Sequence, residues 1–168
     1  VELRLQRDLL RCDFSCNGID LSVFNVHLKS PNQPRWCLLT ASELRAAECR
    51  LIASILRDFQ AQQPQRPVLL LGDFNDLWPS QALAELQPAG LERIDYQGSD
   101  KAGTFWPAGL TIDHVLANPA ASRILVRDSA LIHDAASLRR GSDHCAVSVD
   151  LLLSADQSSA ERTPSASS

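Results

Sequence analysis

The fold is decided by residues 68–76, VLLLGDFND, in which a short apolar run ends at a glycine and acidic and amide residues follow. The run is bounded by Pro67 and Gly72, which is typical of a buried strand rather than a helix. Asp73 and Asn75 are two positions apart, so in an extended backbone their side chains point the same way. The pair could then bind one phosphate, water or metal ion. The alternative is an Asx turn that bonds only its own backbone.

The composition describes one domain with a hydrophobic core and no strong charge bias. The chain has 168 residues, of which 45% are hydrophobic, enough to bury a core. Its 16 basic and 20 acidic side chains give a formal charge of -4, so no strongly basic surface indicates a long nucleic-acid footprint. Nucleic acid is neither favoured nor excluded as a partner, and nothing predicts an oligomeric state. No apolar run approaches the length of a transmembrane segment.

The five cysteines favour reduced thiols over a disulfide framework. Their number is odd, and they lack the paired spacing of a zinc knuckle. Cys12 and Cys16 in one extended strand would be about 13 Å apart at about 3.3 Å per residue, too far for a disulfide. The charged first residues do not form a signal peptide. These features favour a cytoplasmic location, but a leader that had been removed would leave the compartment open.

A hairpin and a helix are predicted before residue 68. Asn17-Gly18 separates a strand-like segment, residues 3–14, from the alternating segment 19–28, which is typical of a β-hairpin. Both faces of the second arm are largely apolar, so we predict that this arm is central in its sheet. His27 lies at its end.

Thr40 with Glu43 has the form of a capping box and begins the best-defined helix, which should end near residues 60–63. An apolar stripe at helical spacing predicts that the helix packs on a sheet, with Arg45 among the polar residues opposite the stripe. The stripe consists of Leu44, Ala47, Leu51, Ile55 and Phe59.

The elements after residue 76 are shorter. We predict a short helix over about 80–86, strands over 111–117, about 124–132 and 145–153, and a disordered tail over 154–168. One domain, residues 1–153, would precede that tail. Asp113 lies among apolar neighbours in the strand 111–117, and a charged residue in a strand needs a partner or a function.

Polar groups occur at or near the ends of four predicted strands. Because the edges of adjacent strands can converge on one cleft, we expect these groups to form one site. A histidine oriented by a carboxylate can act as a general acid or base, and nearby carboxylates can hold a divalent cation. Hydrolysis of a phosphate ester needs such a set, since charge develops on the phosphate oxygens and a water must be activated. The groups are His27, Asp73 with Asn75, Asp113, and Asp143 with His144.

The motifs that contain these groups are NVHL at 25–28, GDFN at 72–75, IDH at 112–114 and SDH at 142–144. In this order they resemble the endonuclease/exonuclease/phosphatase superfamily of metal-dependent phosphoesterases, which includes DNase-like, exonuclease-III-like and neutral sphingomyelinase branches. The resemblance covers residues 3–153. It implies an α+β fold, the DNase-I-like four-layer sandwich of two β-sheets with flanking helices. GDFN and SDH together are quite specific, whereas either alone would be weak.

The resemblance implies a role for each residue. His144 would take the proton from the attacking water, and Asp113 would orient the imidazole. Asp73 and Asn75 would position the nucleophile and the scissile phosphate. His27 would hydrogen-bond the phosphate or protonate the leaving group. The implied partner is a phosphate-ester substrate, with nucleic acid as one candidate.

The resemblance also implies a metal site. Asp143 would contribute to it, and the cation would be Mg²⁺, or alternatively Mn²⁺, which suits oxygen ligands. The family's asparagine motif and its glutamate, the principal metal ligand, should lie well upstream of the histidine strand. Only 26 residues precede His27, and their one glutamate, Glu2, has no motif around it. We therefore expect the chain to be the C-terminal portion of such a domain, lacking its N-terminal portion, and to be catalytically silent, or nearly so, alone.

Several alternatives are open. Hydrolysis of a phosphodiester, as by a nuclease, is the favoured activity, whereas a sphingomyelinase-like or phosphatase-like branch and a non-catalytic scaffold or remnant of the same fold are the alternatives. His27 could be a core histidine, and Asp113 could pair with a structural arginine. A zinc site built from the four histidines has no ligand spacing to support it. Four aromatic side chains could stack bases, contact lipid or pack in the core, namely Trp36, Trp78, Phe105 and Trp106.

Overall fold

The computed structural model describes residues 5–32, 38–97, 103–133 and 140–153. The elements are β1 Leu10–Cys16, β2 Ile19–His27, α1 Ala41–Gln62, β3 Val68–Asp73, a 3₁₀-helix Leu83–Ala89, β4 Glu92–Arg93, β5 Asp113–Ala117, α2 Pro119–Ser122, β6 Leu131–His133 and β7 Ala146–Ser148. They form a five-stranded sheet in the order β1-β2-β3-β5-β4, a two-stranded sheet of β6 and β7, and helices beside them. This is the predicted α+β arrangement.

β3 is the buried central strand that its apolar run predicts. It pairs in parallel with β2 and antiparallel with β5, and its successive side chains face opposite sides of the sheet. Val68 and Leu70 pack in the core cluster that includes α1. Leu69 packs in a second cluster on the other side of the sheet, together with Val115 of β5. Burial on both faces explains why the strand reads as a continuous apolar run.

The register of these strands aligns three of the predicted site residues. His27 at the end of β2 lies opposite Asp73 at the end of β3. Asp73 in turn lies opposite Asp113, the first residue of β5. Neighbouring strands are about 4.7–4.9 Å apart, so this row brings an imidazole and two carboxylates within reach of one another.

Helix α1 begins and ends where the sequence predicts. The Thr40 side chain accepts a hydrogen bond from the Glu43 N–H, and the Glu43 carboxylate accepts one from the Thr40 N–H at 2.7 Å, which completes the capping box. The hydrogen bonds to Thr40 lower the pKa of the Glu43 carboxyl. The helix ends at Gln62, within the predicted range.

The buried face of α1 coincides only in part with the predicted apolar stripe. Ala47 and Phe59 of the stripe are buried, but Ile55, which the stripe includes, is exposed, and Ile52 and Leu56 outside it are buried. The buried face also carries two charged residues, Arg45 and Glu48. The prediction that Arg45 lies opposite the buried face is therefore wrong, because its guanidinium is paired inside the protein.

Four predicted segments have different bounds in the structure. The first strand begins at Leu10 rather than at residue 3, and the helix expected over 80–86 is the 3₁₀-helix Leu83–Ala89. Residues 124–132 do not form one strand, because Asp128 has a φ of 58° and a turn precedes the short strand β6. The strand predicted over 145–153 is limited to Ala146–Ser148, with an isolated bridge at Leu151.

Other predictions concern segments or properties that the structure describes only in part. Residues 154–168, predicted to be a disordered tail, and Glu2 lie outside the described residues. Cys12, Cys16 and Cys49 carry free thiols. Within the described ranges, no helix has the length and hydrophobicity that a lipid bilayer would require.

Replacing Gly72 with alanine should destabilise the fold strongly. A β-carbon at this position would lie 2.0 Å from the carbonyl oxygen of Val26 in the neighbouring strand, and the φ of Gly72 is +135°. We expect a loss of at least about 3 kcal/mol, the upper end of ordinary overpacking, because strand backbone cannot yield as a side chain can. Urea denaturation measures this loss.

The matched control is Gly90→Ala. Gly90 also has a positive φ, +65°, but no other atom lies within 4 Å of the position that a β-carbon would take there. Its substitution should cost only about 1–2 kcal/mol of backbone strain. Equal losses for the two variants would contradict the close approach of β2 and β3 at Gly72.

Candidate active site

His144 and Asp113 form the shortest ion pair of the predicted site. The Nδ1 of His144 lies 2.8 Å from Oδ2 of Asp113, so Nδ1–H donates to the carboxylate and Nε2 is left to accept a proton. Partial burial lowers the pKa of His144, but the hydrogen bond and charge of Asp113, with the charges of Asp73 and Asp143, outweigh burial and raise that pKa above its ordinary value. This pairing is that of an oriented general base.

Asp113 is held in place by its backbone. The buried hydroxyl oxygen of Thr104 accepts hydrogen bonds from the N–H groups of Ile112 and Asp113 at 3.0 and 2.9 Å. The Tyr96 hydroxyl donates to the Asp113 carbonyl at 3.1 Å. These bonds hold the start of β5, so the carboxylate remains beneath His144.

The loop that carries His144 is also fixed by backbone pairing. The Cys145 N–H donates to the Thr104 carbonyl at 2.7 Å, and the Trp106 N–H donates to the Asp143 carbonyl at 3.2 Å. The ring of Phe105 lies 5.2 Å from the His144 ring, centroid to centroid. The segment that positions Asp113 therefore positions its histidine partner as well.

Asp73 lies between the two histidines of the site. Its Oδ2 is 3.3 Å from Nε2 of His27 and 4.0 Å from Nε2 of His144. Burial raises the pKa of the Asp73 carboxyl, and the charge of Asp113 acts in the same direction, whereas the hydrogen bond from the Asn75 N–H opposes both. One carboxylate oxygen thus faces two imidazole nitrogens.

Asn75 contacts Asp73 through an Asx turn rather than through strand alternation. Its N–H donates to Oδ1 of Asp73 at 2.8 Å, and its φ is 51°, so the backbone is no longer extended at this residue. Its side-chain amide donates to Oδ2 of Asp73 at 3.1 Å and to the Leu28 carbonyl at 3.0 Å. The turn that the sequence offered as an alternative is therefore present, and the assumption of an extended backbone at Asn75 is wrong.

These side chains line a cleft of about 780 Å³. Five of the six predicted site residues are among its lining residues, whereas Asp113 lies behind His144. Both charged or polar and apolar side chains line it. The lining residues are His27, Ser30, Pro31, Asn32, Arg45, Asp73, Asn75, Asp76, Leu77, Phe105, Leu110, Ile112, Asp143 and His144.

The sequence profile of the Endonuclease/Exonuclease/phosphatase family matches residues 5–144. The chain belongs to this family. The predicted family is therefore confirmed, and its name covers enzymes that cleave phosphate esters. No curated protein sequence matches the chain significantly.

Solved structures show the same fold. Truncated TDP2 of Caenorhabditis elegans matches with a TM-score of 0.57 and 18% identity over 86% of this chain and 62% of that chain. A beta toxin of Staphylococcus aureus matches with a TM-score of 0.56 and 15% identity over 84% and 56%. The human Nocturnin catalytic domain matches with a TM-score of 0.54 and 21% identity over 79% and 48%. The chain thus spans about half to three fifths of the length of these structures.

The metal site implied by the resemblance is not formed by the described residues. Asp143 lines the cleft with an exposed side chain. In the part of the chain that the structure describes, no group of three His, Cys, Asp or Glu side chains could hold a metal ion. The same finding leaves the four-histidine zinc alternative without a cluster. His114 is buried with Nε2 at 3.0 Å from the Asp76 carbonyl, and His133 contacts Ser148 in the second sheet.

Several cleft residues were not assigned to the site from sequence, among them Phe105, Asp76 and Arg45. Phe105 gave an ambiguous signal, since an aromatic side chain can pack in the core or line a cleft. Asp76 directly follows the GDFN motif, which is the signal that could have found it. Arg45 gave none, because the helical periodicity placed it among solvent-facing residues.

Proposed function

We propose that this protein hydrolyses a phosphate ester, with a phosphodiester as the favoured substrate. The observation that carries the proposal is the His144 imidazole, held at Nδ1 by Asp113 and presenting Nε2 4.0 Å from the Asp73 carboxylate. Family membership supports phosphoester hydrolysis in general.

His144 would act as the general base. Two acceptors 4.0 Å apart can both bond one water at a normal hydrogen-bond distance of about 2.8 Å, so Nε2 and Asp73 Oδ2 can hold and orient a nucleophile. Nε2 takes the proton as the water attacks phosphorus. The Asp113 carboxylate stabilises the imidazolium that forms.

His27 would act on the phosphate, and Asn75 would act through Asp73. The His27 side chain is half exposed, and its Nε2 lies 3.3 Å from Asp73 Oδ2 on the side away from Asp113. It can donate to a phosphate oxygen or to the departing oxygen. Both N–H groups of the Asn75 amide are already donated, one to the Leu28 carbonyl and one to Oδ2 of Asp73, so Asn75 would act by holding the Asp73 carboxylate in the direction in which it orients the nucleophile.

A phosphodiester is favoured by the resemblance to the nuclease branch of the family. Two histidines, one as base and one as acid, would serve a diester and a monoester alike, since both release an organic alcohol that has to be protonated. Phosphatase-like and sphingomyelinase-like activities therefore use the same phosphorus chemistry on other esters. A scaffold without activity remains the alternative from another class, and the variants below distinguish it. A cytoplasmic location remains a prediction.

Mg²⁺, or alternatively Mn²⁺, is part of the proposal, with Asp143 as one ligand. Such a cation would neutralise charge on the phosphate oxygens. One or two carboxylates with substrate phosphates are a common way of holding Mg²⁺. The described residues alone supply no group of three ligands for it.

In the native protein, including any sequence that precedes Val1, Asp73→Asn, Asp113→Asn and His144→Ala should each lower kcat for phosphoester hydrolysis by at least about a hundredfold. Each removes a base, its orienting partner or the carboxylate that holds the water. Circular dichroism and urea denaturation provide the control for folding. Turnover near that of the wild type in one variant would exclude that residue from the site. If none of the three substitutions lowered turnover, the activity would not come from this cleft, which would favour the scaffold.

Removal of divalent cations should abolish turnover, and added Mg²⁺ or Mn²⁺ should restore it, because the proposed ligands are carboxylate oxygens. The measurement is the initial rate on bis-p-nitrophenyl phosphate, DNA and RNA with chelator and then with each metal. Full activity in excess chelator would contradict the metal requirement. Rescue by Zn²⁺ alone would favour a histidine site.

A further inference from the structure

Helix α1 carries two charged side chains into the protein interior beside the cleft. Arg45 is 7% exposed and Glu48 is 6% exposed. Burying a charge is costly unless the charge is paired and hydrogen-bonded. The partners of these two side chains therefore indicate what their burial contributes to the structure.

Both residues hold the segment that follows His27. The carboxylate of Glu48 accepts a hydrogen bond from the Lys29 N–H at 2.8 Å. The Nη1 of Arg45 donates to the Lys29 carbonyl at 3.1 Å. Both backbone polar groups of Lys29 are thus fixed by α1.

Arg45 also holds the turn that follows Asp73. Its Nε donates to Oδ2 of Asp76 at 3.1 Å in a pair whose side chains are 9% and 19% exposed. The Asp76 carbonyl lies 3.0 Å from Nε2 of His114, the residue next to Asp113. The Arg45 guanidinium therefore links the segments that follow β2 and β3. The segment after β3 in turn contacts β5 through His114.

We infer that Arg45 is a positioning residue, which sets the distance between His27 and the turn of Asp73 and Asn75 by bridging the Lys29 carbonyl and the Asp76 carboxylate. The effect on turnover rests on the proposed function, whereas the bridge itself does not. Arginine suits this task because its planar fork presents separate donors in fixed directions, whereas lysine presents one point charge.

The first test is amide hydrogen exchange of Arg45→Met, read by mass spectrometry. Without the bridge, the segments 27–30 and 73–77 should exchange at least about tenfold faster, because their local opening becomes easier. The matched control is Arg50→Met. Arg50 lies on the same helix and pairs with Glu85 at 2.8 Å, but its side chain is 53% exposed and is not among the residues that line the cleft. Equal exchange of both segments in the two variants would overturn the inference.

The second test separates positioning from stability by kinetics in the native protein. Arg45→Met should lower kcat at least about tenfold with little change in KM, because small displacements of reacting groups slow the chemical step. Arg50→Met should leave kcat unchanged. The kcat of Arg45→Lys should lie between those of Arg45→Met and the wild type. A rise in KM with kcat unchanged would indicate direct phosphate binding by Arg45 and would overturn the positioning role.

The double variant Arg45→Met/Asp76→Leu completes the test. Replacing both members of a buried ion pair with apolar side chains avoids the unpaired charge, so the double variant should unfold at a higher urea concentration than Arg45→Met. Its kcat should remain low, since the bridge is still absent. Recovery of kcat together with stability would assign Arg45 a merely structural role.

If the wild type hydrolyses no phosphate ester, the proposed function fails. The hydrogen-exchange experiment alone then decides whether Arg45 is a positioning residue.

Discussion

A slip of one residue between β2 and β3 would move Asp73 away from His27 and reverse the side of the sheet to which each β3 side chain points. The observed register is enforced at Gly72, which lies opposite Val26 so closely that no side chain fits between the strands. The same strand aligns Asp73 with Asp113 on its other side. The row of His27, Asp73 and Asp113 at the cleft depends on this alignment.

Electrostatics then gives the aligned groups their different properties. Asp113 lies behind His144 and fixes the orientation of its ring, whereas Asp73 faces the cleft between two imidazoles. Burial raises the pKa of Asp73, and carboxylates raise that of His144, so the two groups that face the proposed water both bind protons more tightly than they would in solvent. Arg45 adds a buried link between the segments that follow His27 and Asp73.

Much of the fold and site could be predicted because local patterns agree with the tertiary structure. The apolar run before Gly72 is short and is bounded by Pro67 and Gly72, as in a core strand, and the capping box defines the start of α1. Prediction fails where a long-range partner decides the outcome. Arg45 reads as a surface residue until Asp76 and Lys29 are seen to pair with it. Asn75 reads as extended until its φ of 51° shows the turn. Asp143 was assigned to a metal by resemblance, and the described residues supply too few ligands to show one.

The central claim is that Asp113 fixes the proton of His144 on Nδ1 and leaves Nε2 free to accept one. Long-range ¹H–¹⁵N NMR of the histidine rings tests this directly and requires no substrate, when it is recorded at a pH above the raised pKa of His144 so that the ring is neutral. The account predicts the Nδ1–H tautomer for His144 in the wild type and a loss of that preference in Asp113→Asn. A His144 ring protonated on Nε2 in the wild type, or a tautomer indifferent to Asp113, would contradict it.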